Sequence, residues 1–430
     1  MRRTTTSTRV GIRRIAAVAG VFAAAAIGQA AGAAGPRPAA ADGDPLKLGL
    51  LLTSEGPFAN NSETAQAGAE YAVEKLNAEG GVNGQPIELV TADSHGAPDQ
   101  LATIMPRLAT EDDVLAIVGP VESSSCDVAC PLALQFEVPL VSPGAARPGV
   151  LEPGRPYSFS LAQPDGPNAT PALINIVETH DIQTAAIIYD EANATTVAQA
   201  DLFRGVFEAT GVEIVDEVTY TSGDSSFAAQ VTQIASSEPD AIALAAGSAD
   251  GGRIAVEVDA QGLETQLLGT GSLQSDIHGY IEAAGDAANG TLTAAQYNPR
   301  ATDPVAAELL AEAQEYLGVD EVPLNFAYAH DAVYIIAGII GDGGLTGSSD
   351  TLAADRVAIQ EGLNALDDFV GMADGTTFGD DGFSLRPVLV AEIVDGVVEI
   401  TEVDGGGGED SAATADSASA DSAAAPATTG

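Results

Sequence analysis

Three consecutive serines, Ser123, Ser124 and Ser125, stand between an apolar run and a helical pattern. The run is Val114–Val118, closed by Gly119-Pro120, and the helical pattern reaches about Phe136. A serine hydroxyl can accept an orphan N–H of a helix's first turn, so the triplet reads as a helix start. A second short apolar run, Pro139–Val141, ends in Ser142-Pro143-Gly144-Ala145-Ala146. Two strand ends and one helix N-terminus therefore converge on a small, hydroxyl-rich place. Exposed N–H groups and the positive end of a helix dipole suit a carboxylate. The chemistry expected there is capture of a small anionic or zwitterionic ligand.

Other reactive residue types give weaker patterns. Cys126 and Cys130 are four apart within the serine-led segment. An exported chain permits a disulfide. Positions i and i+4 of a regular helix lie too far apart for good bridge geometry, so a bridge would need a distorted first turn. The alternative is two buried thiols. His95, His180, His278 and His330 are scattered and show no ligand spacing, so no metal site is expected. The chain shows no phosphate loop, no Gly-x-Ser-x-Gly elbow and no glycine fingerprint opening a helix. No cofactor and no catalytic residue is therefore expected.

The elements that must position the serines follow from hydrophobic patterning. Leu46–Leu52 and Ile87–Asp93 read as strands, and Thr64–Asn77 and Asp99–Thr110 as helices. The two runs flanking the serines supply a third and a fourth strand. A second series begins near Asn168, with strands at Ala185–Tyr189, Val212–Tyr220, Ala241–Ala246, Leu267–Gly269 and Thr291–Tyr297. Such alternation makes βαβ units and a largely parallel sheet. Two series imply an α/β protein of two Rossmann-like lobes, and ligands in such sheets bind beyond the carboxyl ends of the strands.

The ends of the chain differ from its middle. Arg2, Arg3, Arg9, Arg13 and Arg14 precede an apolar run from Ile15 to about Ala34, and small-residue patterns follow at 31–33 and 39–41. This is the layout of a cleaved secretory signal over residues 1–41, with a weakly hydrophobic membrane anchor as the alternative. No cysteine lies near the cleavage region to carry a lipid. The chain has 62 acidic and 16 basic residues. Six of the basic ones and no acid precede Asp42, so the remainder carries ten, for a net charge of −52. That surface repels nucleic acid and anionic lipid and favours solubility in salt. Residues 405–430 hold Gly, Ala, Ser, Thr, Pro and a few acids, cannot build a core, and are expected to be a disordered tail.

The chain resembles the periplasmic branched-chain amino-acid binding proteins of ABC importers. The resemblance begins with strand Lys47–Leu52 and Ser54-Glu55-Gly56-Pro57. It continues through Asn77-Ala78-Glu79-Gly80-Gly81-Val82-Asn83-Gly84, Asp93, Val118-Gly119 with the serines, and Val138-Pro139-Leu140-Val141-Ser142-Pro143-Gly144-Ala145. Tyr328-Ala329-His330-Asp331-Ala332-Val333-Tyr334 resembles the family's tyrosine–aspartate helix. The resemblance covers about Leu46 to Asp404. It implies a type I periplasmic-binding fold with three crossings, near Gly166, Asn298 and Asp374. Residues 42–166 and 298–374 would form lobe 1, and 167–297 and 375–404 lobe 2.

The resemblance also implies a ligand set. Ser123, with the backbone at Ala145 and Ala146, would hold a ligand carboxylate, and Ser124 and Ser125 would either join it or cap the helix. Asn61 is included among the candidates. The glutamate that pairs with the ligand ammonium in amino-acid binders is matched here by Gly271. Family aromatic positions fall on Ala194 and on Gly247-Ser248-Ala249. Glu191, Asp276, Asp190 or Asp250 could supply an acid instead, although each also reads as plain acidic surface. The function implied is an exported, monomeric solute-binding protein that delivers a small carboxylate- or amide-bearing ligand to an ABC permease complex. A ligand sensor and, further off, a hydrolase on the same scaffold are the alternatives.

Overall fold

The computed structural model describes residues 43–403, apart from 56–58, 165, 167–168, 222–223, 271–272 and 274–276. The expected export signal and the low-complexity tail lie outside the described residues.

Five parallel strands form the first sheet, in the order β2-β1-β3-β4-β5. They are β1 (Leu46–Leu52), β2 (Ile87–Asp93), β3 (Ala116–Val118), β4 (Leu140–Ser142) and β5 (Ser158–Ser160). Between them run α1 (Ala59–Ala78), α2 (Leu101–Thr110) and α3 (Ser123–Gln135). The strands are short continuous apolar runs because helices cover both faces. Leu48, Leu50 and Val118 pack to one side with α1, and Leu51, Ile117 and Leu140 to the other with α2 and α3.

The second sheet has seven strands in the order β15-β14-β10-β9-β8-β6-β7. Its parallel part is β6 (Thr184–Asp190), β7 (Glu213–Tyr220), β8 (Ala241–Ala245), β9 (Gln266–Gly269) and β10 (Leu292–Ala295). Its helices are α4 (Ala169–Thr179), α5 (Ala194–Thr210), α6 (Ala228–Ala235), α7 (Ser248–Ala260) and α8 (Ile277–Ala284). Apolar clusters line both faces of this sheet as well.

After β10 the chain returns to the first lobe as α9 (Pro304–Leu317), α10 (Leu324–Gly343) and α11 (Leu352–Asn364). Helix α10 has the length and composition of a membrane span, yet Phe326, Tyr328, Ile336 and Ile340 are buried in the first lobe's core. It packs on α1 so closely that a Cβ at Gly68 would lie 2.1 Å from the Phe326 carbonyl oxygen. Glycine is what permits that approach.

A small antiparallel sheet follows, of β11 (Phe369–Gly371), β12 (Asp374–Phe378) and β13 (Ser384–Leu385). The crossing expected near Asp374 falls inside it. Phe378 belongs to the first lobe's core, and Phe383 bridges Ser160 of β5. The chain enters the second sheet only at β14 (Val388–Val394), antiparallel to β10, and closes with β15 (Val397–Val403). The chain thus leaves the pairings of the first lobe after Leu385 and joins the second sheet at Val388. It also runs from β5 to α4 and from β10 back to α9.

Candidate ligand site

The carboxyl ends of β1, β3 and β4 come together beside the start of α3. Glu122, not a serine, is the N-cap residue of α3, and its side chain makes no capping bond. The expectation that the serines cap the helix is therefore corrected. Helix geometry begins at Ser123 itself. Ser125 is fully buried, and its hydroxyl donates to the Glu122 carboxylate at 2.7 Å. That bond uses the Ser125 hydroxyl inside the lobe, so Ser125 is no ligand contact in this arrangement. Ser124 is exposed.

Ser123 is held differently. Its Oγ accepts the backbone N–H of Arg147 at 3.2 Å, which joins the start of α3 to the turn after β4. A hydroxyl accepting in this way keeps its hydrogen to donate. The Arg147 guanidinium pairs with Asp127 one turn along α3. The turn itself is fixed by Ser142, whose hydroxyl donates to the Pro120 carbonyl at 2.6 Å. The same oxygen accepts N–H groups from Ala145 at 2.9 Å and Gly144 at 3.3 Å. Ser160 Oγ donates to the Ala145 carbonyl at 2.7 Å. Ala145, an expected ligand contact, is fully buried, and both its backbone polar groups are engaged within the turn. Ala146 is half-buried next to it. Asn61, in the first turn of α1, is half-buried at the same edge; its neighbour Ser62 accepts the Thr53 N–H at the end of β1, at 2.8 Å.

On the second lobe, Gly271 and Asp276 lie outside the described residues. Glu191 is exposed just beyond β6. Asp190 is buried, and its carboxylate accepts the Ala192 N–H at 3.0 Å. Asp250, buried in the first turn of α7, pairs with Arg253. Burial, and to a lesser degree Asp250 and Asp190, push the Tyr220 hydroxyl far above its ordinary pKa.

The remaining reactive groups are accounted for. Cys126 and Cys130 are buried free thiols, so of the two sequence readings the thiol pair is the one observed. The hydrogen bond to Cys130 and burial push the Cys126 thiol well above its usual range. Ser54, His95 and Asp93 do meet at the ends of β1 and β2. However, Ser54 Oγ and Asp93 Oδ2 contact the same ring nitrogen, Nδ1, at 3.2 and 3.1 Å. A hydrolytic relay needs the acid and the nucleophile on opposite nitrogens. Among the described residues no group of His, Cys, Asp and Glu could hold a metal ion.

Comparison with known proteins accords with this geometry. The Leu/Ile/Val-binding protein homolog 3 of Brucella melitensis is 26% identical over 321 residues, which span 74% of this chain and 83% of that protein. BasB, the substrate-binding protein of a chemotactic signal transduction system in Halobacterium salinarum, is 29% identical over 210 residues, 47% of this chain and 50% of that one. Among solved structures, the branched-chain amino acid transporter substrate-binding protein LivJ of Streptococcus pneumoniae, in complex with isoleucine, superposes with a TM-score of 0.68 at 25% identity. That superposition covers 84% of this chain and 99% of LivJ, so the fold is that of the type I periplasmic binding proteins. A model of the family described as periplasmic binding protein matches residues 45–397, and the chain belongs to that family of solute-binding proteins.

Proposed function

We propose that this protein is the exported, monomeric solute-binding component of an ABC importer. It holds a small carboxylate-bearing ligand between its lobes and closes on it by hinge rotation. The observation that carries this reading is Ser123: an oxygen oriented by the Arg147 N–H, with a hydroxyl hydrogen left to donate, at the carboxyl edge of a parallel sheet. Exposed Ser124 and half-buried Ala146 and Asn61 flank it. Ser54 and Asp93 share one nitrogen of His95, which is not the arrangement of a hydrolytic relay. Cleavage of residues 1–41 without lipid attachment completes the reading.

Relatives named for leucine, isoleucine and valine do not fix the ligand here. A free amino acid brings an ammonium, and burying it without a partner is costly. Gly271 has no side chain to offer, and Asp250 is already matched to Arg253. Branched-chain amino acids are therefore expected to bind weakly. Thermal-shift screening against amino acids, amides and small carboxylates, then calorimetry on Ser123→Ala, tests the reading. Losing a hydrogen bond to a charged group costs roughly 1.5–3 kcal/mol, so affinity should fall about tenfold or more. Wild-type affinity in Ser123→Ala would remove the serine from the site, and submicromolar binding of leucine or valine would defeat the ligand class.

The similarity to BasB favours one second reading, a sensor reporting the ligand to a receptor. Permease and ATPase genes adjacent to this one would decide for the importer.

A further inference from the structure

The three passages between the lobes bring together one polar residue each: Gln163, Tyr297 and Arg386. Gln163 Nε2 donates to the Arg386 carbonyl at 3.2 Å. Tyr328 of α10 lies beneath them, and its hydroxyl donates to the Gln296 carbonyl at 2.8 Å. The Arg386 guanidinium sits over the Tyr328 ring, 4.5 Å from its centroid, and the Tyr297 ring is 6.2 Å from the same centroid. Arg386 Nη2 donates to Thr376 Oγ1 at 2.9 Å.

What is missing is a partner for the rest. Arg386 Nε and Nη1, the Tyr297 hydroxyl and Gln163 Oε1 are all buried with no hydrogen-bond partner. The other cations among the described residues set the contrast. Lys75, Arg107, Arg147, Arg204, Arg253 and Arg300 each pair with a carboxylate. Lys47, Arg155 and Arg356 donate to backbone carbonyls instead. Arg386 pairs with no carboxylate among the described residues and leaves two of its buried N–H-bearing atoms without an acceptor. The buried acid Asp331 is already bound to the Met372 and Ala373 N–H groups and to His330. Buried donors left without an acceptor are costly, the more so on a charged group. The Tyr328 ring offsets only part of that cost. Burial also pushes the Tyr297 hydroxyl well above its ordinary pKa, so it is present as a donor.

We propose that Arg386 and Tyr297 form an anion-recognition pocket at the interlobe hinge, which receives a carboxylate of the bound solute and makes that solute a small organic acid. Gln163 Oε1 offers an acceptor for a hydroxyl or N–H on the same molecule. The pocket deepens the solute-binding reading and rests on it. It also ties capture to closure, because its members come from all three strands of the hinge: an acid seated there is gripped by the segments whose rotation opens the cleft.

The test is calorimetric titration of the full chain with the acids lactate, succinate and benzoate, with L-valine as a zwitterionic control and urea and acetamide as uncharged controls. At least one acid should bind the wild type. Its affinity should fall at least about tenfold in Arg386→Met and recover in part in Arg386→Lys. Undiminished acid binding in Arg386→Met overturns the proposal, as does a wild type that binds none of the acids or only the amides. If Arg386→Met does not fold, Tyr297→Phe removes only the unpartnered hydroxyl: weaker acid binding supports the pocket, and wild-type affinity overturns it. Ser123→Ala, measured in parallel, separates the two readings. Loss there with wild-type behaviour in Arg386→Met leaves the serine contact and removes the hinge pocket. The reverse pattern removes the serine contact and keeps the pocket.

Discussion

Replacing Gly68 by alanine sets two opposing effects against each other. Gly68 lies mid-helix in α1, where alanine is intrinsically favoured by about 0.5–1 kcal/mol. The added methyl, however, would meet the Phe326 oxygen at 2.1 Å and its carbonyl carbon and Cα at 2.8 Å. Carbon contacts are comfortable at about 3.5–4.0 Å. All three atoms are backbone, so no side chain can rotate away, and α1 and α10 must separate. Overpacking of this kind costs about 1–3 kcal/mol, occasionally more. The net expectation is destabilisation of about 1–2 kcal/mol, read as a lowered urea midpoint at unchanged slope. The displacement should also reach ligand affinity, because Tyr328 lies two residues beyond Phe326 and holds the second crossing through Gln296. A midpoint equal to or above the wild type's would refute the reasoning, since propensity would then have decided the outcome.

Asp240 accepts the Thr184 and Gln183 N–H groups and the Thr184 hydroxyl, and these bonds hold its carboxyl below its ordinary pKa. Its contribution is then complete above the unfolded-state value near 4 and is lost as pH falls through the lower folded value. The stability gap between wild type and Asp240→Asn should be steady around neutrality and close in acid; a gap independent of pH would count against it. Cys126 and Cys130 should resist a thiol reagent in the native protein and both react once it is unfolded, whereas a single mass corresponding to a disulfide would contradict the free pair.

The parallel core of both lobes was legible in the sequence because its strands are short apolar runs between helical patterns. The expected Leu46–Leu52 and Ile87–Asp93 coincide with β1 and β2, and the second-series strands differ from β6 to β10 by a residue or two at their ends. The strands β5 and β11 to β15 were not anticipated. β5 is parallel but reads Ser-Phe-Ser, which makes no apolar run, and β11 to β15 are antiparallel, in part only two or three residues long, and interrupted by turns, so no strand–helix alternation marks them. The helix start at the serines was legible, but its hydrogen bonding was not. The serine triplet does open a helix at the carboxyl ends of β3 and β4. Which hydroxyl is left with a hydrogen to donate depends on tertiary partners: Glu122 claims Ser125, and Ser142 claims the Ala145 N–H. Arg386 carries no motif. The available signal was that it is one of only ten cations after Asp42, placed just before a strand.

The chain's threefold passage has a consequence for how the molecule is made. The first lobe's core draws Leu48, Ala69 and Phe159 from before the second lobe, and Phe326, Ile336 and Phe378 from after it. Asn83 bonds the Ile340 carbonyl across 257 positions, and Lys75 meets Glu312 across 237. Contacts this distant form slowly, because loop closure precedes any gain from packing. The second lobe, by contrast, gathers β6 to β10 from one uninterrupted stretch. A chain growing from its N-terminus therefore begins the first lobe early and completes it late, with the inner face of α1 uncovered until α10 arrives. A fragment ending anywhere before Leu324 keeps that face bare, and becomes a client for chaperones and proteases instead of a half-working binder.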